Sequence, residues 1–303
     1  MKSFLSIRDC TTDELQSLLN LSAELKAIYK SGRRDLCLSG KVLAMLFEKT
    51  SLRTRISFQV AMFDLGGTGI YMKPEDIGII GQREPAKDMA RVFSRYVDGI
   101  MARTFAHETL MALDEWASVP VINALSDWSH PCQAMADLLT IREHCGDLNG
   151  LKIAYIGDGN NVARSLAFAC AKFNMRFVCA SPQGYELDQE SFDTANAILA
   201  DCAWQTHDPV DAVRDADVVY TDTWVSMGQE EEKEQRIRDF QGFAVDETLM
   251  SNAPGNAKVM HCLPAYRGYE ISDGIAESDN SVIFDQAENR LHFQRALLKY
   301  LLS

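Results

Sequence analysis

Val42-Leu-Ala-Met-Leu-Phe47 is an unbroken apolar run, followed closely by Ser51-Leu-Arg-Thr-Arg55 and then by Ile56, Val60, Met62 and Phe63. The run reads as a buried strand and the spacing after it as an amphipathic helix. Two hydroxyls, Ser51 and Thr54, and two guanidiniums, Arg53 and Arg55, therefore fall where a helix begins. A helix N-terminus offers unpaired N–H groups and a partial positive charge, and with arginine and hydroxyl donors added it suits a phosphate dianion. The plainer reading is a capped helix with solvated arginines. It loses ground because further polar clusters follow at other strand ends.

Outward from this unit, short apolar strands alternate with helical segments. Strands are expected at 69–72, 99–102, 119–123, 152–156, 176–180, 203–207, 217–221, 258–261 and 281–284, besides 42–47. Helices are expected at 86–97 and 107–117, after a first helix that Thr11 and Glu14 open as a capping box. Such alternation means a mainly parallel α/β architecture. Ten strands exceed one compact sheet of usual size, and turn chemistry at His144–Gly150 offers a break after a helix that starts near Pro131. The expected fold is therefore α/β, with two doubly wound, mainly parallel domains at 1–140 and 148–285. A C-terminal helix, 285–302, packs back on the first. The acidic run Gln229–Glu234 reads as a solvated loop or helix start.

The chain has 303 residues, 47% apolar and 24% charged, within the ordinary globular range. Its net charge of −13 argues against nucleic acid or an anionic membrane as the main partner. A few clustered arginines can still make a pocket for a small anion. No apolar run is long enough to span a bilayer, and the N-terminus lacks a signal-peptide core, so a cytoplasmic protein is expected. The eight cysteines, Cys10, Cys37, Cys132, Cys145, Cys170, Cys179, Cys202 and Cys262, form no C-x-x-C pair and no zinc spacing with histidine. Most lie in apolar runs and read as small buried hydrophobes in a reducing compartment.

Four more clusters carry chemistry. Arg103 and His107 follow the strand at 99–102, where ligands of α/β domains bind. His130 and Gln133 share one side of a helix start whose first residue is Pro131. Cys262 leaves the strand at 258–261 for a loop held by Pro264, so it reads as partly exposed and reactive, against a base rate favouring burial. Asp222 ends another strand, with Ser226 and Met227 following, and suits an ammonium group; a plain turn aspartate is the alternative. The segment Gly157-Asp-Gly-Asn-Asn161 resembles a dinucleotide turn, but Val162 replaces the third glycine, and Ser181 stands where a ribose-binding acid is needed. A nicotinamide oxidoreductase is therefore disfavoured, and Asn160 and Asn161 read as donors to another polar ligand.

Ser51-Leu-Arg-Thr-Arg55, His130-Pro-Cys-Gln133, Asp222-Thr-Trp-Val-Ser-Met-Gly228, His261-Cys-Leu-Pro264 and Phe284-Asp-Gln-Ala-Glu-Asn-Arg290 run in order along the chain. Together they resemble the ornithine carbamoyltransferase branch of the aspartate/ornithine carbamoyltransferase family. The resemblance implies a carbamoyl-phosphate domain first, an ornithine domain second and an active-site cleft between them. It implies carbamoyl-phosphate contacts from Ser51, Leu52, Arg53, Thr54, Arg103, His130, Gln133, Cys262, Leu263 and Arg290. Ornithine contacts would come from Asn161, Asp222, Ser226 and Met227, and catalysis from Cys262, Arg103, His130 and Thr54. The implied reaction converts carbamoyl phosphate and L-ornithine to citrulline and phosphate, a step of arginine biosynthesis, with no cofactor and no metal. The implied assembly is a homotrimer or a multiple of trimers, with no nucleic-acid or membrane partner. Leu52 stands where many relatives carry threonine, leaving only its backbone N–H to serve. In the Asp76–Glu84 loop, which would reach a neighbouring subunit, Ile79 stands where many relatives carry glutamine, and Gln82 follows Gly81. An N-acylated ornithine or putrescine as acceptor, or a non-catalytic ligand-binding chain, remain the alternatives.

Overall fold

A computed structural model of the chain describes residues 1–225 and 229–303. They form two compact units, Met1–Leu139 with Glu288–Ser303, and Thr140–Ala287.

In the first unit the order is α1 Thr12–Lys30, β1 Val42–Phe47, α2 Leu52–Asp64, β2 Thr68–Met72, α3 Pro74–Ile77, α4 Ala86–Phe93, β3 Gly99–Arg103, α5 His107–Trp116 and β4 Val121–Leu125. The next helix, α6 Pro131–Cys145, contains the first unit boundary. All pairings are parallel and the strand order is β2-β1-β3-β4. The capping box forms: Thr11 accepts from the Glu14 N–H, and the Glu14 side chain returns to the Thr11 N–H. Ala44, Leu46, Ile100, Ala102, Leu110, Leu113 and Val121 pack into one buried cluster. A fully buried leucine or isoleucine contributes roughly 1.5–3 kcal/mol by leaving water.

The second unit continues with β5 Lys152–Ile156, α7 Asn161–Lys172, β6 Arg176–Ala180, α8 Gln189–Ile198, β7 Ala203–Thr206, α9 Pro209–Val213 and β8 Val218–Thr221. Then come α10 Lys233–Asp239, α11 Glu247–Met250, β9 Lys258–His261, α12 Asp273–Ala276 and α13 Ile283–Leu302, whose later turns belong to the first unit. This sheet is also wholly parallel, in the order β7-β6-β5-β8-β9. Its core includes Ile156, Val178, Val219, Phe240, Val259 and Ile271. Two doubly wound parallel sheets are thus the fold class expected from the strand–helix alternation. No described helix is long and apolar enough to cross a membrane.

Three local expectations need correction. The segment 281–284 is not a strand. Only Ser281 makes a parallel bridge, to Val259, and α13 begins at Ile283. The single bridge cannot hold a strand against a twenty-residue helix that buries Phe293, Leu297 and Leu298. The apolar face of α2 is also misassigned. Thr54, Phe58, Ala61 and Met62 face inward, while Ile56 is 50% and Phe63 75% exposed. Finally, β4 starts at Val121 rather than at residue 119, because Pro120 supplies no N–H to a ladder.

Candidate active site

In an open parallel sheet, ligands bind outside the carboxyl ends of the strands where the winding reverses. In the first unit that point lies between β1 and β3. Ser51 caps α2 just beyond β1 and accepts from the Thr54 N–H at 3.4 Å. Leu52, the first residue of α2, turns its side chain 72% into solvent, so only its backbone faces the helix start. Arg53 is half-buried, and its guanidinium has no hydrogen-bond or ion-pair partner among the described residues. Arg103 closes β3 and is buried. The β3–β4 register slips between Ala102 and Arg103, an irregularity that re-aims a side chain.

Thr54, Gln133 and Arg290 form one buried network. Arg290 donates to Thr54 Oγ1 at 2.8 Å and to Gln133 Oε1 at 3.0 Å, and Gln133 Nε2 donates to Asp137 at 2.8 Å. Those contacts orient the amide and leave the Thr54 hydroxyl proton for an outside acceptor. His130 precedes α6, and its carbonyl accepts from the N–H groups of Gln133 and Ala134. Burial first, then the charges of Arg290, Arg103 and Lys49, hold its pKa well below the ordinary value. The ring is therefore neutral and able to donate one hydrogen bond without adding charge.

Two residues here escaped the sequence reading, although they directly precede the Ser51 motif. Burial and then Arg103 push Lys49 down to about 8, so this lysine belongs to the same cationic cluster. Glu48 is buried, and its carboxylate accepts from Ile80 N–H at 2.8 Å and Phe105 N–H at 2.7 Å. Its own N–H donates to the Arg103 carbonyl at 3.0 Å. Glu48 thus fastens the Asp76–Glu84 loop and the end of β3 to the phosphate motif.

The second unit reverses its winding between β5 and β8. Gly157–Asn161 follow β5 and Asp222 follows β8. Gly159 is sterically required, because a Cβ there would meet the Leu187 nitrogen at 2.0 Å. The dinucleotide-like glycine is thereby explained by close backbone packing. Asp222 is buried and fully engaged. Its Oδ1 accepts from Thr223 N–H at 2.8 Å and from the Cys262 thiol at 2.9 Å, and its Oδ2 accepts from Asn160 Nδ2 at 2.9 Å. Cys262 is partly exposed, as expected of a strand-end loop residue. Asn161 opens α7 and is partly buried. Asn160, expected as a donor to a polar ligand, gives one amide N–H to Asp222 and uses its Oδ1 to cap α7. Ser226 and Met227 lie outside the described residues.

The Cys262 loop is held from below. His261 and Glu270 are both buried. His261 Nε2 lies 3.1 Å from Glu270 Oε1, and its Nδ1 accepts from Leu263 N–H at 2.9 Å. Leu263 adopts φ +58°, a left-handed conformation stabilised by that contact. Asp222, His261 and Cys262 bring ligand atoms within 4.8 Å of one another. Both imidazole nitrogens are already used, so the trio reads as a hydrogen-bonded scaffold rather than a cation cage. Nearby, Arg236 pairs with Asp158 at 2.9 Å and donates to the Trp224 carbonyl at 3.0 Å. Burial still raises Asp158 to about 6, with Arg236 opposing the rise.

One unit thus gathers cations, hydroxyls and a neutral imidazole, and the other an acid, a thiol and amides. Comparison with known proteins assigns these two halves. Residues 2–143 match the aspartate/ornithine carbamoyltransferase carbamoyl-P binding domain, and residues 149–301 match the Asp/Orn binding domain of the same family. The ornithine carbamoyltransferase of Thermococcus kodakarensis is 49% identical over 98% of this chain and 95% of its own. That of Anoxybacillus flavithermus is 49% identical over 99% and 96%. The solved ornithine carbamoyltransferase of Pyrococcus furiosus superposes with a TM-score of 0.96 at 47% identity, covering 99% of this chain and 97% of that one. The anabolic enzyme of Campylobacter jejuni gives 0.92 at 42%, covering 99% of both. With both domains matched in order and full-length relatives on either side, the chain belongs to the aspartate/ornithine carbamoyltransferase family.

Proposed function

We propose that the protein is an anabolic ornithine carbamoyltransferase, transferring the carbamoyl group of carbamoyl phosphate to the δ-amine of L-ornithine. The observation that carries this reading is the set of mutually repelling cations beside a neutral, buried His130. Such a cluster is relieved by a small dianion. Ser51, the Leu52 N–H, Arg53 and Thr54 hold its phosphate. Arg103, His130 and Gln133 hold the carbamoyl group, with Cys262, Leu263 and Arg290 completing the contacts. Asp222 pairs with the α-ammonium, and Asn161 at the α7 N-terminus takes the carboxylate. Ser226 and Met227 keep the ornithine role that the resemblance gives them.

In the reaction the uncharged δ-amine attacks the carbamoyl carbon, forming the C–N bond. The bond from that carbon to the bridging oxygen breaks, phosphate departs with the electron pair and its O–P bond intact, and the amine loses a proton. Arg103, Thr54 and His130 donate to the oxygen on which charge develops; removing one such donor costs about 10²–10³ in rate. Cys262 orients the amine and relays its proton, the thiol's own proton passing to Asp222 as the sulfur takes the amine's. Ornithine's free side-chain ammonium has a pKa near 10, so turnover rises with pH.

The reading extends to assembly and place. The exposed apolar stripe Leu52, Ile56 and Phe63 on α2, with Ile70 on β2, supports a homotrimer, which sedimentation equilibrium tests. Eight free cysteines, five of them buried, support the reducing cytoplasm. The deciding assay supplies carbamoyl phosphate with L-ornithine, N-acetyl-ornithine, putrescine, L-lysine and L-aspartate in turn. Ornithine should exceed putrescine and N-acetyl-ornithine in kcat/KM by at least about 10²-fold, since a site built around two charged ends rejects molecules lacking one, and L-lysine by roughly 10-fold or more, since its extra methylene carries the amine past the carbamoyl carbon. Comparable values for putrescine or N-acetyl-ornithine would replace the acceptor, and no turnover with any of them would leave a binding protein.

A further inference from the structure

We propose that Asn160 is a positioning residue whose carboxamide, fixed on one side by α7 and Tyr155, sets the orientation of the Asp222 carboxylate. The inference rests on the reading of Asp222 as the partner of ornithine's ammonium. Asn160 Oδ1 accepts from Val162 N–H at 2.9 Å, from Ala163 N–H at 3.2 Å and from the Tyr155 hydroxyl at 3.2 Å. Three donors converge on that atom, so it is the oxygen, and the NH₂ must face Asp222 Oδ2 at 2.9 Å. Tyr155 is buried and its pKa is raised well above the ordinary value by burial, so its hydroxyl remains a donor.

The consequence is geometric. A free carboxylate at a strand end can rotate about χ2. Here one oxygen is tied to Asn160, and the other receives the Cys262 thiol and the Thr223 N–H. The plane of the acid is thereby fixed relative to both α7 and the Cys262 loop. Asn160 therefore acts through Asp222. The local sequence supports a double duty: a helix cap alone is served equally by serine or aspartate, whereas only a carboxamide both caps and donates to an anion.

Asn160→Ser separates the two duties. Serine retains an oxygen for the α7 cap but is too short, and carries no amide donor, to hold Asp222. The variant should melt within about 2 °C of the parent. Its KM for L-ornithine should rise roughly ten-fold, while its KM for carbamoyl phosphate stays within about two-fold. Asp222→Ala should cost more, and the double variant should be no worse than Asp222→Ala, because a residue acting only through another adds nothing once that other is gone. An unchanged ornithine KM in Asn160→Ser beside a crippled Asp222→Ala overturns the positioning role and leaves the ornithine reading intact. Additive losses in the double variant overturn it as well. An unchanged ornithine KM in Asp222→Ala removes the ornithine reading itself, and the positioning role with it.

Discussion

The two switch points differ in how much of their polarity is already satisfied. In the first unit, Arg103, Arg290 and Lys49 each lower the pKa of His130, and Arg53 is unpaired among the described residues. In the second, Asp222 is bonded by Asn160, Cys262 and Thr223, and Asp158 by Arg236. The first region is electrostatically incomplete in that burial and Arg103 outweigh the Asp127 and Glu48 carboxylates at Lys49, so a bound anion gains from relief of repulsion. The second is complete by itself, so its ligand must add to bonds that exist. Affinity should therefore come mostly from the first region, and orientation of the attacking amine from the second.

The largest effect tests the incomplete side. Arg53→Ala removes charge-assisted bonds worth about 1.5–3 kcal/mol each, so KM for carbamoyl phosphate should rise roughly 10²-fold or more. Because the guanidinium holds no hydrogen bond or ion pair among the described residues, the thermal midpoint should barely move. A folded variant with unchanged carbamoyl-phosphate affinity breaks the comparison at its strongest point.

Next comes the complete side, at Cys262. Its thiol donates to Asp222, and its loop is fixed by the Leu263 N–H to His261 contact. Cys262→Ala should lower kcat about ten-fold and shift the pH–rate profile, with the melt within about 2 °C. A buried hydrophobe would behave in the opposite way. An unchanged profile with a lowered melt returns Cys262 to a packing role and leaves deprotonation to solvent or to the departing phosphate.

How legible these regions were in the sequence follows the same division. The strand and helix periods and the turn chemistry fix local structure, so β1, β5, β6 and β9 were readable to the residue. The helix-start cluster at Ser51 was legible because its donors are contiguous. The Asn160–Asp222 contact was not legible because Asp222 is brought to Asn160 by the β5–β8 pairing, which no local pattern encodes. Glu48 was missed for the same reason, its two donors lying at positions 80 and 105. The strand assigned to 281–284 failed differently. A short apolar run fits either period, and the following helix decided the matter.

A smaller effect probes how the incomplete site is held in shape. Glu48 accepts two backbone N–H groups from separate segments. Glutamine keeps one acceptor oxygen and turns an NH₂ toward the other donor, so one buried N–H must lose its partner. Glu48→Gln should raise KM for carbamoyl phosphate about five-fold by loosening either residue 80 or residue 105. It should leave ornithine KM near the parent value. Equal changes in both constants would mean a general loss of structure instead.

The smallest expected effect is also the most diagnostic of charge repulsion, because ligand affinity and stability should change in opposite directions with pH. Lys49 is pushed down to about 8 by burial and Arg103, whereas an unfolded lysine stays charged to about 10. Between those values the unfolded chain binds more protons than the free folded one, so the stability of the ligand-free protein should rise with pH through Lys49. Carbamoyl phosphate gains from the same charge, so its affinity should fall, by about three-fold between pH 7 and 9.5 if Lys49 acts at a distance rather than by direct contact. Lys49→Arg keeps the cation throughout this range and should flatten the affinity profile. It should also remove the rise in ligand-free stability, since an arginine does not titrate there. If affinity falls as steeply in Lys49→Arg as in the parent, the loss belongs to another group, and Lys49 leaves the cationic cluster.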